Sequence, residues 1–378
     1  MTGALLRDRL LMLVGVVAAS AIVAAMVGEY DAEKAAPPQS IDVWLTPQAD
    51  PDQWSIQFAG DTMLADEALP FLEAHGYDYA LAGLAPLLDG DLVIANAEAP
   101  ISEQKIPLNP GKAYNYNSDP AAAAALARAG VDVLGLGNNH SMDMGVGGML
   151  ATMRFAAENG MVTFGAGVDV AQAERPLLVH SSFATVGVVA LGESFGKTVT
   201  AGLDAPGTVA FSPEAVQRGY DLARAAGADW VIAYVHWGDN YTDTNQQQWY
   251  WARMMVRAGY DMIIGHGPHI VAPIQYIGDV PVAFSVGNFA FGSPGLFRSR
   301  GKPGLGLLVK VVIHREAPAD LVLTCIQTDN RILNYAAQPC TPEQTAVTMR
   351  YVEPALVPTG PSTAALTCDC LAPPAREP

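Results

Sequence analysis

Metal-binding residue types follow five short apolar runs of this chain, and each run has the pattern of a buried strand. The runs and the residues after them are 55–60 before Asp61, 92–95 before Asn96 and Glu98, 133–137 before Asn139 and His140, 230–235 before His236, and 262–265 before His266, with His269 three residues further on. Because ligands gather at the carboxyl ends of buried parallel strands, these side chains are expected to share one edge. Asp, Glu, Asn and His together suit a hydrolytic site for one or two divalent metal ions of Mn, Fe, Zn or Mg type.

Each of these residues also has a purely structural explanation. A single histidine after a strand is more often a hydrogen-bonded structural residue, but four imidazoles at equivalent places favour metal binding or catalysis. Asp61 could instead cap a following helix, and Glu98 could be a solvated loop acid. Asp143, three residues after His140, either orients the His140 imidazole or forms a turn.

The elements that must position these residues alternate between helix and strand from Trp54 to about Gly292. Helical stretches are predicted at 121–129, 214–226 and 246–258, ahead of strands at 131–136, 230–235 and 262–264. This alternation predicts βα units and a largely parallel core sheet. From about Ile270 the pattern changes to consecutive, mostly antiparallel strands, and 179–191 is predicted to be a hairpin. The expected fold is α/β, with mixed β-sheets and outer helices.

The composition limits the class of partner. The chain has 378 residues, half of them hydrophobic, so it can bury a large core. Its formal charge of −17 argues against nucleic-acid binding, which needs a basic surface. The charge also disfavours a strongly acidic ligand unless bound cations or a local cluster of basic residues reverse the field near the site.

The ends of the chain carry separate predictions. Residues 1–28 are predicted to be an N-terminal transmembrane helix, because Arg7 and Arg9 precede an apolar stretch and acidic residues follow it. This orientation places the rest of the protein outside the cytoplasm as a single-pass membrane protein. A cleaved signal peptide and a secreted product are the alternative. Residues 29–53 are predicted to be a stalk, 54–340 the folded domain, and 341–378 a loose tail.

Four cysteines lie late in the chain, at positions 325, 340, 368 and 370. In an exported protein they allow disulfides with three possible pairings.

Six motifs occur in one order along the chain. They are Gly60-Asp61-Thr62-Met63, Asn96-Ala97-Glu98-Ala99-Pro100, the segment 138–145, His236-Trp237-Gly238, Gly265-His266-Gly267-Pro268-His269, and the segment 284–289. Together they resemble the CapA-type capsule-biosynthesis family, which is associated with poly-γ-glutamate synthesis and is similar to the calcineurin-like metallophosphoesterases. The resemblance covers roughly residues 54–292.

The resemblance implies a four-layer α/β sandwich of metallophosphoesterase type, with a two-metal centre at the strand ends. Asp61 resembles the aspartate of the first metallophosphoesterase motif, and Glu98 stands where that superfamily has a bridging aspartate. Asn139 resembles an amide ligand and His140 a proton donor. The remaining implied ligands are His236, His266 and His269.

Two features depart from the superfamily pattern. Met63 stands where a ligand histidine is usual, and two residues rather than one separate the closing histidines, His266 and His269. Two functions therefore remain open. One is a metal-dependent hydrolase or transferase outside the cytoplasm, acting on a capsule polymer or its linkage. The other is a non-catalytic accessory subunit of a membrane polymer synthase, with a relic site for a metal or the polymer terminus.

Overall fold

A computed structural model describes residues 39–46, 50–193, 196–368 and 370–371. The predicted anchor at 1–28 lies outside these residues. Within the part of the chain that is described, no helix combines the length and the apolar character needed to span a bilayer.

The described chain contains strands and helices throughout. The strands are β1 Ile41–Trp44, β2 Gln53–Met63, β3 Leu92–Ala97, β4 Val133–Gly135, β5 Val162–Phe164, β6 Ala166–Gly167, β7 Leu177–His180, β8 Thr185–Gly192, β9 Gly207–Thr208, β10 Trp230–His236, β11 Met262–His266, β12 Ile274–Ile277, β13 Val280–Ala283, β14 Asn288–Phe291, β15 Leu305–His314, β16 Asp320–Gln327, β17 Gln338–Pro339, β18 Val357–Pro358 and β19 Thr363–Thr367. The helices are α1 Leu69–His75, α2 Ala121–Ala129, α3 Gly145–Glu158, α4 Val170–Ala173, α5 Pro213–Ala225, α6 Gln246–Ala258, α7 Phe297–Arg300, α8 Asn330–Leu333 and α9 Pro342–Val352.

Two large mixed sheets contain most of the strands. One has seven strands in the order β1-β7-β8-β10-β11-β13-β12, and the other has ten, with the main order β18-β19-β16-β15-β2-β3-β4-β5. In the first sheet β8, β10, β11 and β13 run parallel, and in the second β2, β3, β4 and β5 do. The late strands add antiparallel pairs, β12 with β13 and β15 with β16. These pairings confirm the predicted mixture of parallel and antiparallel strands.

The two sheets pack face to face and carry helices on their outer faces. Phe58 and Ile94 of the larger sheet share one buried core with Val188 and Ile232 of the smaller sheet. A second core joins the other face of the larger sheet to α1, α2 and α3. A third joins the other face of the smaller sheet to α5 and α6. The order helix, sheet, sheet, helix is the four-layer arrangement that the family resemblance implies.

Tyr234 fixes the alignment of the two sheets near their carboxyl edges. This β10 residue is buried between the sheets, and its hydroxyl donates a 2.6 Å hydrogen bond to the Ala59 carbonyl of β2. Within each sheet the register is also set, since Asp61 lies opposite Asn96 and His236 lies opposite His266. The carboxyl ends of β2, β3, β10 and β11 therefore meet at one place.

Two of the predicted segment boundaries are wrong. The predicted stalk at 29–53 includes β1, which pairs in parallel with β7 along the edge of the smaller sheet. The predicted loose tail at 341–378 includes α9, β18 and β19, and β19 pairs with β16. Thr341 starts α9 with a capping box closed by Gln344, so the Pro- and Thr-rich composition here encodes a helix start rather than a loose chain.

All four cysteines are paired. Cys325 bonds Cys340, and Cys368 bonds Cys370. Of the three pairings that the sequence allows, the structure therefore takes the one between sequence neighbours, and all four sulfur-bearing residues are buried in the core between the sheets.

Candidate metal centre

The carboxyl ends of β2, β3, β10 and β11 bring two carboxylates and three imidazoles together. Asp61, Glu98, His236, His266 and His269 are all buried. They form two groups whose ligand atoms lie within 4.8 Å of one another, Asp61 with His236 and His266, and Asp61 with Glu98 and His269. Five of the six predicted metal ligands are thus adjacent.

Asp61 is common to both groups and offers one oxygen to each. Its Oδ1 lies 3.4 Å from His266 Nδ1 and 3.9 Å from His236 Nδ1. Its Oδ2 lies 3.2 Å from His269 Nδ1 and accepts a 3.1 Å hydrogen bond from the Gly267 backbone N–H. The position between the two groups is therefore occupied by Asp61.

Glu98 lies across the cluster from Asp61. Its Oε2 is 3.8 Å from His269 Nδ1, and its Oε1 is 3.6 Å from His236 Nε2. Its side chain is 1% exposed. Glu98 is therefore not a solvated loop acid, because its carboxylate contacts histidines of both groups.

Two asparagines support the cluster. The sequence placed Asn96 at the same strand edge without assigning it a role, and it did not assign Asn288 to the site. Asn96 Nδ2 donates a 2.8 Å hydrogen bond to Asp61 Oδ1 and lies 3.4 Å from His236 Nδ1. Asn288 Oδ1 lies 2.9 Å from His269 Nδ1. Both asparagines pair with Asp61 in the register of the sheet, one on each side. Both asparagines lie at the ends of strands that flank the Asp61 strand, and this position was the signal by which the sequence could have identified them.

The backbone is specialised where β2 reaches the site. A side chain at Gly60 would meet the Gly287 carbonyl oxygen at 1.8 Å, so only glycine allows the approach that lets the Asp61 N–H donate to that carbonyl. His269 has φ 60°, in the left-handed region that histidine seldom adopts. Such backbone strain is typical of functional sites, and here it directs an imidazole at Asp61.

His140 borders the cluster and is held from its other side. Its Nε2 lies 4.0 Å from Glu98 Oε1, and its Nδ1 lies 2.6 Å from Asp143 Oδ2. Asp143 also accepts a 2.8 Å hydrogen bond from the Tyr116 backbone N–H, while the Tyr116 ring packs 4.5 Å from the imidazole. Lys112 Nζ lies 2.5 Å from Asp143 Oδ1. The Asp143 carboxylate thus contacts the His140 imidazole, as one sequence interpretation predicts, and the Asp143 N–H closes a turn onto the His140 carbonyl, as the other does.

Asn139 precedes His140 but differs from the other predicted ligands. Its backbone carbonyl accepts a 3.0 Å hydrogen bond from Lys112 Nζ. Its side-chain Oδ1 is buried and has no hydrogen-bond partner within the described residues. A metal ligand would present such an unpaired amide oxygen. The ligand role of Asn139 stays a prediction.

Burial and nearby charges shift the pKa values of the two carboxylates in opposite directions. Burial alone raises the pKa of Asp61, but hydrogen bonds and charge from His266 and His269 outweigh it and hold that pKa well below its usual range. Burial, reinforced by the charge of Asp61, raises the pKa of Glu98 well above its usual range. Burial also lowers the pKa of His236 and of His140. The surroundings therefore favour the charged form of Asp61 and disfavour the charged form of Glu98.

The residues present fit a bound divalent cation. Glu98 Oε2 is buried without a hydrogen-bond partner in the described chain, and leaving such an atom unpaired costs about 1–3 kcal/mol. A cation would satisfy this ligand atom and offset the charge of the two buried carboxylates. Nitrogen and oxygen donors of this kind suit Mn, Fe or Zn.

Comparison with known proteins gives one family and several relatives. Residues 55–293 match the model of the family described as bacterial capsule synthesis protein PGA_cap. The PGA biosynthesis protein CapA of Bacillus subtilis (strain 168) is 30% identical over 282 residues, which cover 71% of this chain and 74% of that one. A Mycobacterium tuberculosis (strain H37Rv) protein named "Probable polyglutamine synthesis accessory protein" is 30% identical over 234 residues, 59% of this chain and 58% of its own length. The solved NAD nucleotidase of Haemophilus influenzae aligns with a TM-score of 0.40 and 11% identity, over 71% of this chain and 49% of that one.

Proposed function

Because the chain belongs to the bacterial capsule synthesis family PGA_cap, we propose that it is a metal-dependent hydrolase or transferase acting on a capsule polymer or its linkage. Two relatives are named for PGA biosynthesis and polyglutamine synthesis, so a γ-glutamyl chain is the first substrate to test. The observation that carries the reaction type is the buried cluster of carboxylates and imidazoles around Asp61.

In this proposal Asp61, His236 and His266 hold one cation position, and Asp61, Glu98 and His269 hold another. A divalent ion bound there supplies a Lewis acid and a water of lowered pKa. Asn96 and Asn288 keep Asp61 and His269 in place. The cluster is buried, so the surrounding side chains restrict bulk water and strengthen the electrostatic interactions with a bound substrate.

His140 is the proton donor of the proposed reaction. An ionised Asp143 takes the Nδ1–H of the imidazole, which leaves Nε2 facing Glu98 and the cluster. In its imidazolium form, which carries a proton on both nitrogens, His140 can deliver the Nε2 proton to a departing oxygen or nitrogen and is left as the neutral ring with Nδ1–H on Asp143. Burial lowers the pKa of His140, so its protonated form gives up that proton readily.

We further propose that the domain acts outside the cytoplasm, held to the cell membrane by residues 1–28 and working beside membrane subunits of a polymer synthase. The support is the order of basic, apolar and acidic residues at the N-terminus and the word accessory in the name of one relative.

A non-catalytic accessory role is the second candidate, and Met63 favours it. Met63 occupies the position where a ligand histidine is usual in the metallophosphoesterases. It is 1% exposed and packs with Ala65, Ala99 and Phe291. The cluster would then hold a metal ion or a polymer end without turnover.

Metal analysis of purified variants tests the proposal and separates the two roles. His236→Ala should lower both bound metal and turnover, because it removes a ligand. His140→Ala should lower turnover by about 10²–10⁴-fold and leave the metal content nearly unchanged, because it removes a proton donor. His75→Ala is the matched control, since His75 is an exposed histidine of α1. Substrates are phosphodiesters and γ-glutamyl chains.

Each outcome assigns a role. Equal loss of metal in the His140 and His236 variants would make His140 a ligand and remove the proton-donor assignment. Bound metal without turnover on either substrate class, together with full capsule formation by the His140 variant, would establish the accessory role.

A further inference from the structure

A cavity lies beside His140, and its lining includes Lys112 and Asp143, which both contact the His140 Nδ1. Its volume is about 270 Å³, which suits one functional group with its nearest carbons rather than a whole drug-sized ligand. The apolar wall includes Leu108, Met142 and Val199, and the polar wall includes Lys112, Asn139 and Asp143. Asn139 directly precedes His140 and Asp143 lies three residues after it, so this cavity adjoins the proposed proton donor.

Lys112 has one N–H that the protein does not use. An ammonium group carries three donors, and Asp143 Oδ1 and the Asn139 carbonyl accept two of them. His140 Nδ1 is 3.2 Å from Lys112 Nζ but gives its own proton to Asp143, so it cannot accept the third. The Lys112 side chain is 31% exposed and lines the cavity, which makes that donor available to a ligand.

Lys112 also supplies positive charge where the rest of the site has little. Within the described residues it is the only Lys or Arg side chain that contacts Asp143 or another residue of the centre. Asp143 is already bound by His140, by the Tyr116 N–H and by Lys112 itself. The ion pair with Asp143 offsets much of the Lys112 charge, so a further anion would be held mainly by the remaining N–H of Lys112.

The loop that carries Lys112 is tied in place. Asn115 Nδ2 donates to the Asn109 and Lys112 carbonyls at 3.0 and 3.1 Å, and the Leu108 N–H donates to the Asp143 carbonyl. These bonds fix the ammonium group before any ligand arrives, and such preorganisation favours binding.

We propose that this cavity binds an oxyanion, a carboxylate or phosphate group, on the departing part of the substrate, with Lys112 Nζ as the donor. The assignment of this group to the departing part of the substrate rests on the proposed hydrolase or transferase function. The binding itself does not, because it follows from Lys112 and the cavity. Lys112 thereby selects substrates that carry a negative charge on this side of the bond to be cleaved.

Calorimetric titration tests the proposal without any turnover. The full chain in a neutral detergent is freed of metal with EDTA, dialysed, and titrated with glutarate, inorganic phosphate and the neutral diamide glutaramide. Glutarate or phosphate should bind the wild type, and Lys112→Met should weaken that binding about tenfold or more, as expected for the loss of a charge-assisted hydrogen bond. Lys112→Arg should retain most of the affinity. The matched control is Lys105→Met, which removes an exposed positive charge from the same loop.

The outcomes distinguish this inference from the proposed function. Equal anion affinity in wild type and Lys112→Met, equal loss in Lys105→Met, or equal binding of glutaramide and glutarate would each overturn it. Preference for glutarate over phosphate would identify a carboxylate subsite, and the reverse a phosphate subsite. Anion binding that depends on Lys112 would stand even if the protein holds no metal and hydrolyses nothing.

Discussion

At the scale of single residues, the arrangement of charge is the feature that distinguishes this site. Asp61 receives hydrogen bonds from the Asn96 amide and the Gly267 N–H, with two histidines close by. Glu98 has a buried oxygen without any such partner. The contacts around Asp61 therefore favour its charged form, whereas burial raises the pKa of Glu98 and disfavours its charged form. A bound cation would favour the charged form of Glu98 as well.

Asn96 gives the first prediction at this scale. Asn96→Ala removes the 2.8 Å hydrogen bond that orients Asp61 without removing a ligand. Loss of an orienting partner of this kind typically weakens metal binding by about 10–100-fold. Titration of the metal-free protein with Mn²⁺ measures the change. Asn115→Ala serves as the control, and equal affinity in wild type and Asn96→Ala would show that Asp61 needs no such support.

The sequence predicted roles for the carboxylates and imidazoles of this site, but among its amides only for Asn139. Asp61, Glu98 and the three histidines could be predicted because each follows a recognisable apolar run. Asn96 stands in the same kind of position, yet an amide is common in turns and carries no specific signal. Lys112 could not be predicted, because it reaches His140 from a loop that no strand pattern positions.

At the scale of elements, the same aspartate-to-backbone hydrogen bond recurs at the start of the parallel strands. Asp91, Asp132, Asp229 and Asp261 each stand just before a strand. The carboxylate of each accepts the N–H of a residue at the start of the neighbouring strand, namely Ser55, Val93, Thr185 and Val231. The strand-end register that brings His236 and His266 together is thus fixed at the opposite ends of the strands as well.

Asp132 gives a prediction on pH. Burial raises the pKa of Asp132 from 3.8 to about 6. The native state thus binds this proton more readily than the unfolded chain, and the stability due to Asp132 is lost as pH rises from about 4 to 6. Asp132→Asn keeps an oxygen for the Val93 N–H and cannot ionise. The variant should be more stable than wild type by up to about 3 kcal/mol above pH 6, with a smaller difference near pH 4.

Urea unfolding of the Asp132 variant and the wild type at pH 4, 5, 6 and 7 measures this difference. A constant difference across the range would show that ionisation of Asp132 does not affect folding.

The disulfide between Cys325 and Cys340 gives a second prediction on elements. It ties β16 to the segment before α9 and closes a loop with a sequence separation of 15. A cross-link that closes a loop of that length restricts the unfolded chain and so stabilises the folded protein by about 3 kcal/mol. The double variant Cys325→Ala and Cys340→Ala should therefore lose about that much free energy of unfolding in urea. Four free thiols in the unreduced native protein would contradict the pairing itself.

The accuracy of the element predictions followed the strength of the local signal. α2, α5 and α6 lie within one residue of their predicted bounds, because a capping residue or a left-handed glycine marks their ends. β1 was missed because an edge strand of four residues among prolines has no period to detect. α9 was missed because composition outweighed the capping box at Thr341.

At the scale of the whole molecule, the structured domain begins earlier than the sequence indicated. β1 starts at Ile41 and belongs to the smaller sheet, so only residues 29–40, twelve in all, separate the predicted anchor from the fold. Twelve residues reach at most about 40 Å when fully extended. If residues 1–28 remain in the bilayer, the start of β1 therefore lies within about 40 Å of the membrane surface.

This placement gives the last prediction. The basic, apolar and acidic order of the N-terminus predicts that the domain lies outside the cytoplasm. Protease added to intact spheroplasts should therefore digest the domain, while a cytoplasmic marker protein survives until the cells are lysed. Deletion of residues 1–28 should leave the domain inside and protected. Recovery of the wild-type domain from the medium would instead mean that the N-terminal segment is a cleaved signal, and protection of the wild type would place the candidate metal centre on the cytoplasmic side, away from any exported polymer.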